Sequence, residues 1–445
     1  MTSPASRRGA DPFEPVFTLA SGPSGATPAT LAALGRPVLF PYDPAFLELY
    51  ADTVELLRRA FGTRRAPVIL HGEAVLGLEA AAASLIRRDD VVLNLVSGVY
   101  GKGYGRWAAR YAREVIEIEV AYDSAVPAGR VRAALAERPD VTVVSVVHCE
   151  TPSGTMNDLG AIGPVVSEHG ALLIVDAVSS FGGTPCDFAA WDADLVVVAP
   201  QKCLGGPPGL SLLHVSDAAW AHMEANPDAP RASVLSVLDW KDAHPADRPF
   251  PFTPSVSDVY ALQACLRQYL AEGPAAVVRR HRRAARAVRA GAEALGLRLW
   301  AADRSICSDT VTALKVPAPL DEREVRARAR AESGVMLSGG QGALAGQVLQ
   351  IGHMGPGAYP LSPVIALTAL GRALRGFGVT ADVGGAVEAA LTALDASGEL
   401  STTAAGDHPC LIARRAAGSA REEALGAGQG LAEVGLGYEL PGVGN

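Results

Sequence analysis

Ala193-Asp194-Leu195-Val196-Val197-Val198-Ala199-Pro200-Gln201-Lys202-Cys203-Leu204-Gly205-Gly206-Pro207-Pro208-Gly209 carries an apolar run of buried-strand type into a turn bent by glycine and proline. A lysine stands at the junction. The chain holds four lysines against 35 arginines, so a sequence that writes nearly every cation as Arg keeps an amine here. Arg cannot condense with a carbonyl compound, whereas a desolvated lysine has the lowered pKa that such chemistry needs. Lys202 is the candidate nucleophile. The competing reading is a strand-end lysine whose stem snorkels to water.

Outward from this stretch the same grammar repeats. Val68–Leu70, Val91–Leu95, Val115–Val120, Val141–Val147, Leu172–Val175, Leu195–Val198 and Leu210–His214 read as strands. Leu76–Ile86, Gly105–Tyr111, Val131–Arg138 and Ala161–His169 read as the helices between them. The alternation predicts an α/β fold with a mostly parallel seven-stranded sheet covered by helices. In such sheets ligands gather beyond the carboxyl ends of the strands. Glu73, Tyr100, the segment 148–153, Asp176 and Lys202 all fall there.

Residues 256–296 read as long helical sequence and 297–398 as a smaller αβ unit, with strands near Thr310–Val316, Val335–Leu337 and Val348–His353. The domains expected are a loose N-terminal arm (1–14), a large domain (15–270), a small C-terminal domain (271–396) and a low-complexity tail (397–445). Within the tail, Ser419–Leu425 has the spacing of a short capped helix.

At 445 residues, 49% hydrophobic, the chain can bury a large core. No uncharged apolar run reaches 18 residues, which argues against a membrane span. The N-terminus lacks an apolar signal segment. A net charge of −8 argues against nucleic acid as the partner. The basic cluster Arg279, Arg280, His281, Arg282, Arg283, Arg286 and Arg289 lies over apolar positions at helical spacing and reads as the solvated face of a helix. The six cysteines show neither C-x-x-C nor metal spacing with histidine, so no metal site is expected and a reducing cytoplasm is the natural compartment.

Asp176 follows Leu172-Leu173-Ile174-Val175 and precedes Ala177-Val178-Ser179-Ser180-Phe181-Gly182-Gly183. A carboxylate at the end of a buried strand is costly unless something positive meets it. A protonated pyridine nitrogen would do so, with Lys202 at the other end of the ring.

Together, Val175-Asp176-Ala177-Val178-Ser179-Ser180, Gln201-Lys202 and Gly205–Gly209 resemble the class V aminotransferases of fold type I. The likeness runs from about Thr18 to Asp395. The stretches Ile69–Ala82, Ser97–Gly103, Thr151–Thr155, Pro249–Ser257 and Ile351–Pro356 resemble most a subgroup acting on unphosphorylated pyridoxamine. The resemblance implies a homodimer with sites completed across the subunit interface, and pyridoxal or pyridoxamine as co-substrate, or pyridoxal 5′-phosphate as cofactor. Lys202 would form the imine with pyridoxal and shuttle the proton, and Asp176 would hold the pyridine nitrogen. Tyr100 and Val178 would cover the two ring faces, Thr151 or Ser153 would bond the ring hydroxyl, and Gln201 would line the same site. Phe252 would reach toward the neighbouring subunit's substrate.

Two positions refine this. Glu73 opens the helix where relatives hold a cofactor phosphate on backbone N–H groups. One charge pair at about 4 Å costs roughly 4 kcal/mol at an effective dielectric near 20, about three decades in affinity. A carboxylate there favours a free 5′-hydroxyl; the alternative is a residue that only caps the helix. The resemblance also implies arginines for a substrate α-carboxylate at positions that are Gln341 and Gln350 here, and a neutral amide cannot replace that charge. Three readings follow: transamination with an amine or carbonyl partner that lacks an α-carboxylate; transamination of alanine with the anion held by Arg231, Arg248 or the turn Ser21-Gly22-Pro23; or a repurposed scaffold, as a pyridoxal-dependent lyase, decarboxylase or condensing enzyme, or a vitamin B6 binder.

Overall fold

The seven apolar runs form one sheet in the computed structural model of the chain, which describes residues 17–243 and 249–396. Its strands are β1 (Val68–His71), β2 (Val91–Val96), β3 (Glu114–Glu119), β4 (Val141–Val147), β5 (Leu172–Asp176), β6 (Leu195–Val198) and β7 (Leu210–Val215). They lie in the order β1-β7-β6-β5-β4-β2-β3. Only β7 runs antiparallel to its neighbours, so the carboxyl ends of the other six share one edge. Valine-rich runs suit the pleat, and every residue of β2 and β6 is buried.

A three-stranded antiparallel sheet follows in the order β8 (Val311–Lys315), β10 (Val348–Gly352), β9 (Ser338–Gly339). Its Leu314, Leu349 and Ile351 join a second core that draws on Leu19 and on residues from Ala287 to Leu394, while the main core spans Ala33 to Val277. Val335–Met336 is not part of this sheet; it pairs in parallel with Phe17–Thr18. The chain beyond Thr18 then crosses to β10, where Gly352 N donates to Leu19 O. A side chain at Gly352 would strike the Ala20 carbonyl at 2.0 Å.

The helical stretch near 256–296 breaks at Gly273, giving helices Val256–Glu272 and Pro274–Ala294. The arginine-rich face of the second is not wholly solvated. Arg289 is buried, donating to the Ser308 carbonyl at 2.9 Å, and His281 is buried with its Nε2 accepting from Gly355 N. The Ser308 carbonyl draws in Arg289 and the Gly355 amide draws in His281. No described helix is long and apolar enough to cross a membrane. The N-terminal arm, the tail and the helix expected at 419–425 lie outside the described residues.

Candidate active site

Lys202 lies four residues past β6, and its Nζ donates to the Ser21 carbonyl at 3.0 Å. Burial lowers its pKa, partly offset by nearby negative groups that include Asp176 and Glu73. Segment Ser21–Ser24 straps over it: Ser24 N donates to Gln201 O at 2.8 Å and Ser24 Oγ to Lys202 O at 2.7 Å. Gly22 adopts φ +119°, and a Cβ there would sit 2.2 Å from Lys202 Nζ. Only glycine suits both demands.

Asp176 ends β5, paired in register with Val147 and Val197. Its Oδ1 accepts from Val178 N at 2.9 Å. Burial pushes its pKa up to about 6, against the pull of that hydrogen bond and of Lys202. Val178, buried, follows directly. Tyr100 sits in the first turn of helix Val99–Tyr111, its hydroxyl donating to Gln341 Oε1 at 3.2 Å. Burial, then the charges of Asp176, Glu150 and Glu73, raise it to about 12. Three carboxylates therefore act on this hydroxyl.

Thr151 and Ser153 lie in a tight hairpin in which Cys149–Glu150 pairs with Thr155–Met156. They separate clearly. Thr151 Oγ1 donates to Ser179 Oγ, beside Val178. Ser153 Oγ instead meets the Glu150 carbonyl and Thr155 Oγ1, and lines a small cavity with Arg289 and Cys307.

Glu73 is the N-cap of helix Ala74–Leu85, its Oε2 accepting from Val75 N at 2.8 Å. It also turns toward Lys202's neighbour, since Gln201 Nε2 donates to Glu73 Oε1 at 2.8 Å. Capping and facing the site are thus compatible. The other end of the Gln201 amide, Oε1, is buried with no hydrogen-bond partner.

Gln350, in β10, is buried and its amide is engaged. Oε1 accepts from Ser21 Oγ at 2.7 Å and Ser338 Oγ at 3.0 Å, and Nε2 donates to the Pro152 carbonyl at 2.8 Å. Phe252 packs its ring against His71 and Trp240. Arg231 pairs with Asp239 at 3.7 Å; Arg248 lies outside the described residues.

The sequence reading passed over Glu150, which is fully buried. Its Oε1 accepts from Gly101 N at 2.7 Å and its Oε2 from Tyr100 N at 3.0 Å. Burial pushes it up to about 7, opposed by those two bonds and reinforced by Asp176. The available signal was a carboxylate between buried residues with no cation close in sequence, together with glycines at 98 and 101.

A lysine and an aspartate at the ends of adjacent parallel strands, on a seven-stranded sheet of this order, belong to the fold type I architecture. The sequence profile "Aminotransferase class-V" matches residues 107–354, and the chain belongs to that family. It is 54% identical over 383 residues to the pyridoxamine–pyruvate transaminase of Mesorhizobium japonicum, a match covering 86% of this chain and 98% of that one. The crystal structure of pyridoxamine–pyruvate aminotransferase from Mesorhizobium loti matches with a TM-score of 0.85 at 54% identity, covering 86% and 98%. That of ureidoglycine–glyoxylate aminotransferase from Bacillus subtilis gives 0.82 at 29% identity, with the same coverage.

Proposed function

We propose that this aminotransferase exchanges an amino group between free vitamin B6, as pyridoxal and pyridoxamine, and a small amine or carbonyl partner that lacks an α-carboxylate. One observation carries the choice of the free vitamin: beside the Glu73 carboxylate, Gln201 Oε1 is a buried acceptor without a donor. A hydroxymethyl group can donate to such a pair; a phosphate dianion cannot, and would be repelled.

The residues fit pyridoxal. Gly22 leaves the Lys202 amine uncrowded by a side chain, and Asp176 is a buried carboxylate raised above its usual range that a protonated ring nitrogen would stabilise. When bound, pyridoxal supplies a carbonyl carbon for amine exchange and a conjugated ring that withdraws electrons. Burial biases Lys202 Nζ toward the neutral amine, the form that attacks a carbonyl and accepts a proton. The Ser21 carbonyl orients it. Asp176 would retain the proton on the ring nitrogen, Tyr100 and Val178 would bound the two faces, and the Thr151 hydroxyl is the better placed of the two hairpin hydroxyls for the ring oxygen.

Two features support a partner without a carboxylate. Asp176 and Glu73 already act on Lys202, and Gln341 and Gln350 are neutral, the Gln350 N–H₂ being committed to the Pro152 carbonyl. A homodimer is part of the reading, with Phe252 near the shared boundary. Val38, Phe40 and Tyr42 expose large apolar side chains close together in sequence, as an interface would require. The compartment proposed is the cytoplasm.

Absorbance tests the central claim. Pyridoxal should give a band near the visible that Lys202→Ala abolishes, and should bind more tightly than its phosphate ester. Tighter binding of the ester would reject the reading of Glu73.

A further inference from the structure

Helix Val99–Tyr111 begins without a capping side chain of its own, because its N-cap residue is Gly98. The first backbone N–H groups of a helix need acceptors, and here a carboxylate from 50 residues away supplies them. Glu150 spans the gap, one oxygen on Tyr100 N and the other on Gly101 N. The local sequence is shaped around it: a Cβ on Gly98 would lie 2.5 Å from Glu150 Cδ, and one on Gly101 3.1 Å from Oε1. Burying a carboxylate is costly, and a serine at position 98 would be the ordinary cap. Glu150 does something further: it fixes the helix start, and with it the root of the Tyr100 side chain, to a hairpin.

That hairpin also reaches the opposite wall. Its next residue, Thr151, donates to Ser179 Oγ, one residue from Val178, while Gly154 N closes the turn on the Glu150 carbonyl at 2.8 Å. One rigid turn thus references both Tyr100 and Val178.

We propose that Glu150 is a positioning residue, setting the height and tilt of the Tyr100 ring over the pyridoxal site through the two backbone N–H groups it holds. It touches neither reactant. The inference rests on the proposal that Lys202 and Asp176 hold pyridoxal, so the test is arranged to separate the two.

A double-mutant cycle on the full chain compares wild type, Glu150→Gln, Tyr100→Ala and the double variant, reading the pyridoxal dissociation constant from the visible band and the position of its maximum. Glu150→Gln keeps the volume but turns an N–H₂ toward one of the two backbone donors. It should weaken pyridoxal about tenfold and shift the maximum when Tyr100 is present, and change affinity less than about twofold when Tyr100 is absent. Equal losses in both backgrounds, or none in either, would overturn the role assigned to Glu150. Should Glu150→Gln not fold, Glu150→Asp takes its place in the cycle, keeping the charge but withdrawing it by one methylene. If wild type itself gives no band dependent on Lys202, the pyridoxal assignment falls instead.

Discussion

Gln201 and Glu73 are joined by a 2.8 Å hydrogen bond from Nε2 to Oε1, which links the residue before Lys202 to the cap of the helix that follows β1. The bond makes the far end of the site a cup of acceptors. Replacing Glu73 by Gln removes its charge. The variant should bind pyridoxal 5′-phosphate about 10²- to 10³-fold more tightly than the parent and lose part of its preference for pyridoxal. Parallel absorbance titrations with the two vitamers measure both changes.

Asp176 should destabilise the protein when no ligand is bound. Its carboxyl, raised by burial from 3.8 to about 6, is neutral in folded and unfolded chains at low pH. As pH rises from 3.8 to about 6 the unfolded chain ionises while the folded chain does not, so stability falls across that window and stays lower above it. Each pH unit between the two values costs about 1.4 kcal/mol, on the order of 3 kcal/mol in all. Asp176→Asn, without ligand, should therefore exceed wild type in denaturant stability at pH 8 and match it below pH 4, while losing catalysis. A variant less stable than wild type at pH 8 would contradict this.

Gly22→Ala should disable the lysine. The new methyl would occupy the space of Nζ, and φ +119° strains any side chain. We expect pyridoxal affinity to fall by about two decades with a stability loss of about 1–3 kcal/mol, measured by titration and by urea unfolding.

Guanidinium groups placed at positions 341 and 350 test the choice of partner. Gln341→Arg with Gln350→Arg should raise the rate with alanine at least about tenfold, followed as the loss of the visible band under single-turnover conditions. Rapid alanine conversion by the unmodified protein, unaffected by the double change, would show that the two glutamines do not set the choice of partner.

What could be read from the chain depended on where each residue's neighbours lie. Most of the strands were legible because their apolar runs are nearly continuous, β3 because Val and Ile interleave with Glu, and Lys202 and Asp176 because each follows or ends an apolar run. Helix Val99–Tyr111 was expected only from Gly105, since glycines at 101, 103 and 105 lower helix propensity. Gly101 and Gly105 instead admit close contacts, with Leu95 O and Glu150 in one case and Glu117 and Asn94 in the other. The role of Glu150 and the strapping of Lys202 by the turn at Ser21, read from sequence only as a possible anion contact, were hidden for the same reason: their partners lie 50 and more than 300 residues away, and local pattern does not say which residues pair. The chain's end-to-end pairing of Phe17–Thr18 with Val335–Met336 was likewise invisible.

That pairing bears on how the protein is made. A ribosome delivers Ser21 first, yet the acceptors that dock it, Ser338 and Gln350, emerge more than 300 residues later. At about 5–20 residues per second, a nascent chain spends on the order of fifteen seconds to a minute with Lys202's strap undocked. The Lys202 amine is therefore completed late in synthesis, and a chain truncated before Val348 would keep the Ser21 carbonyl but lack the Gln350 side chain that helps to hold it in place.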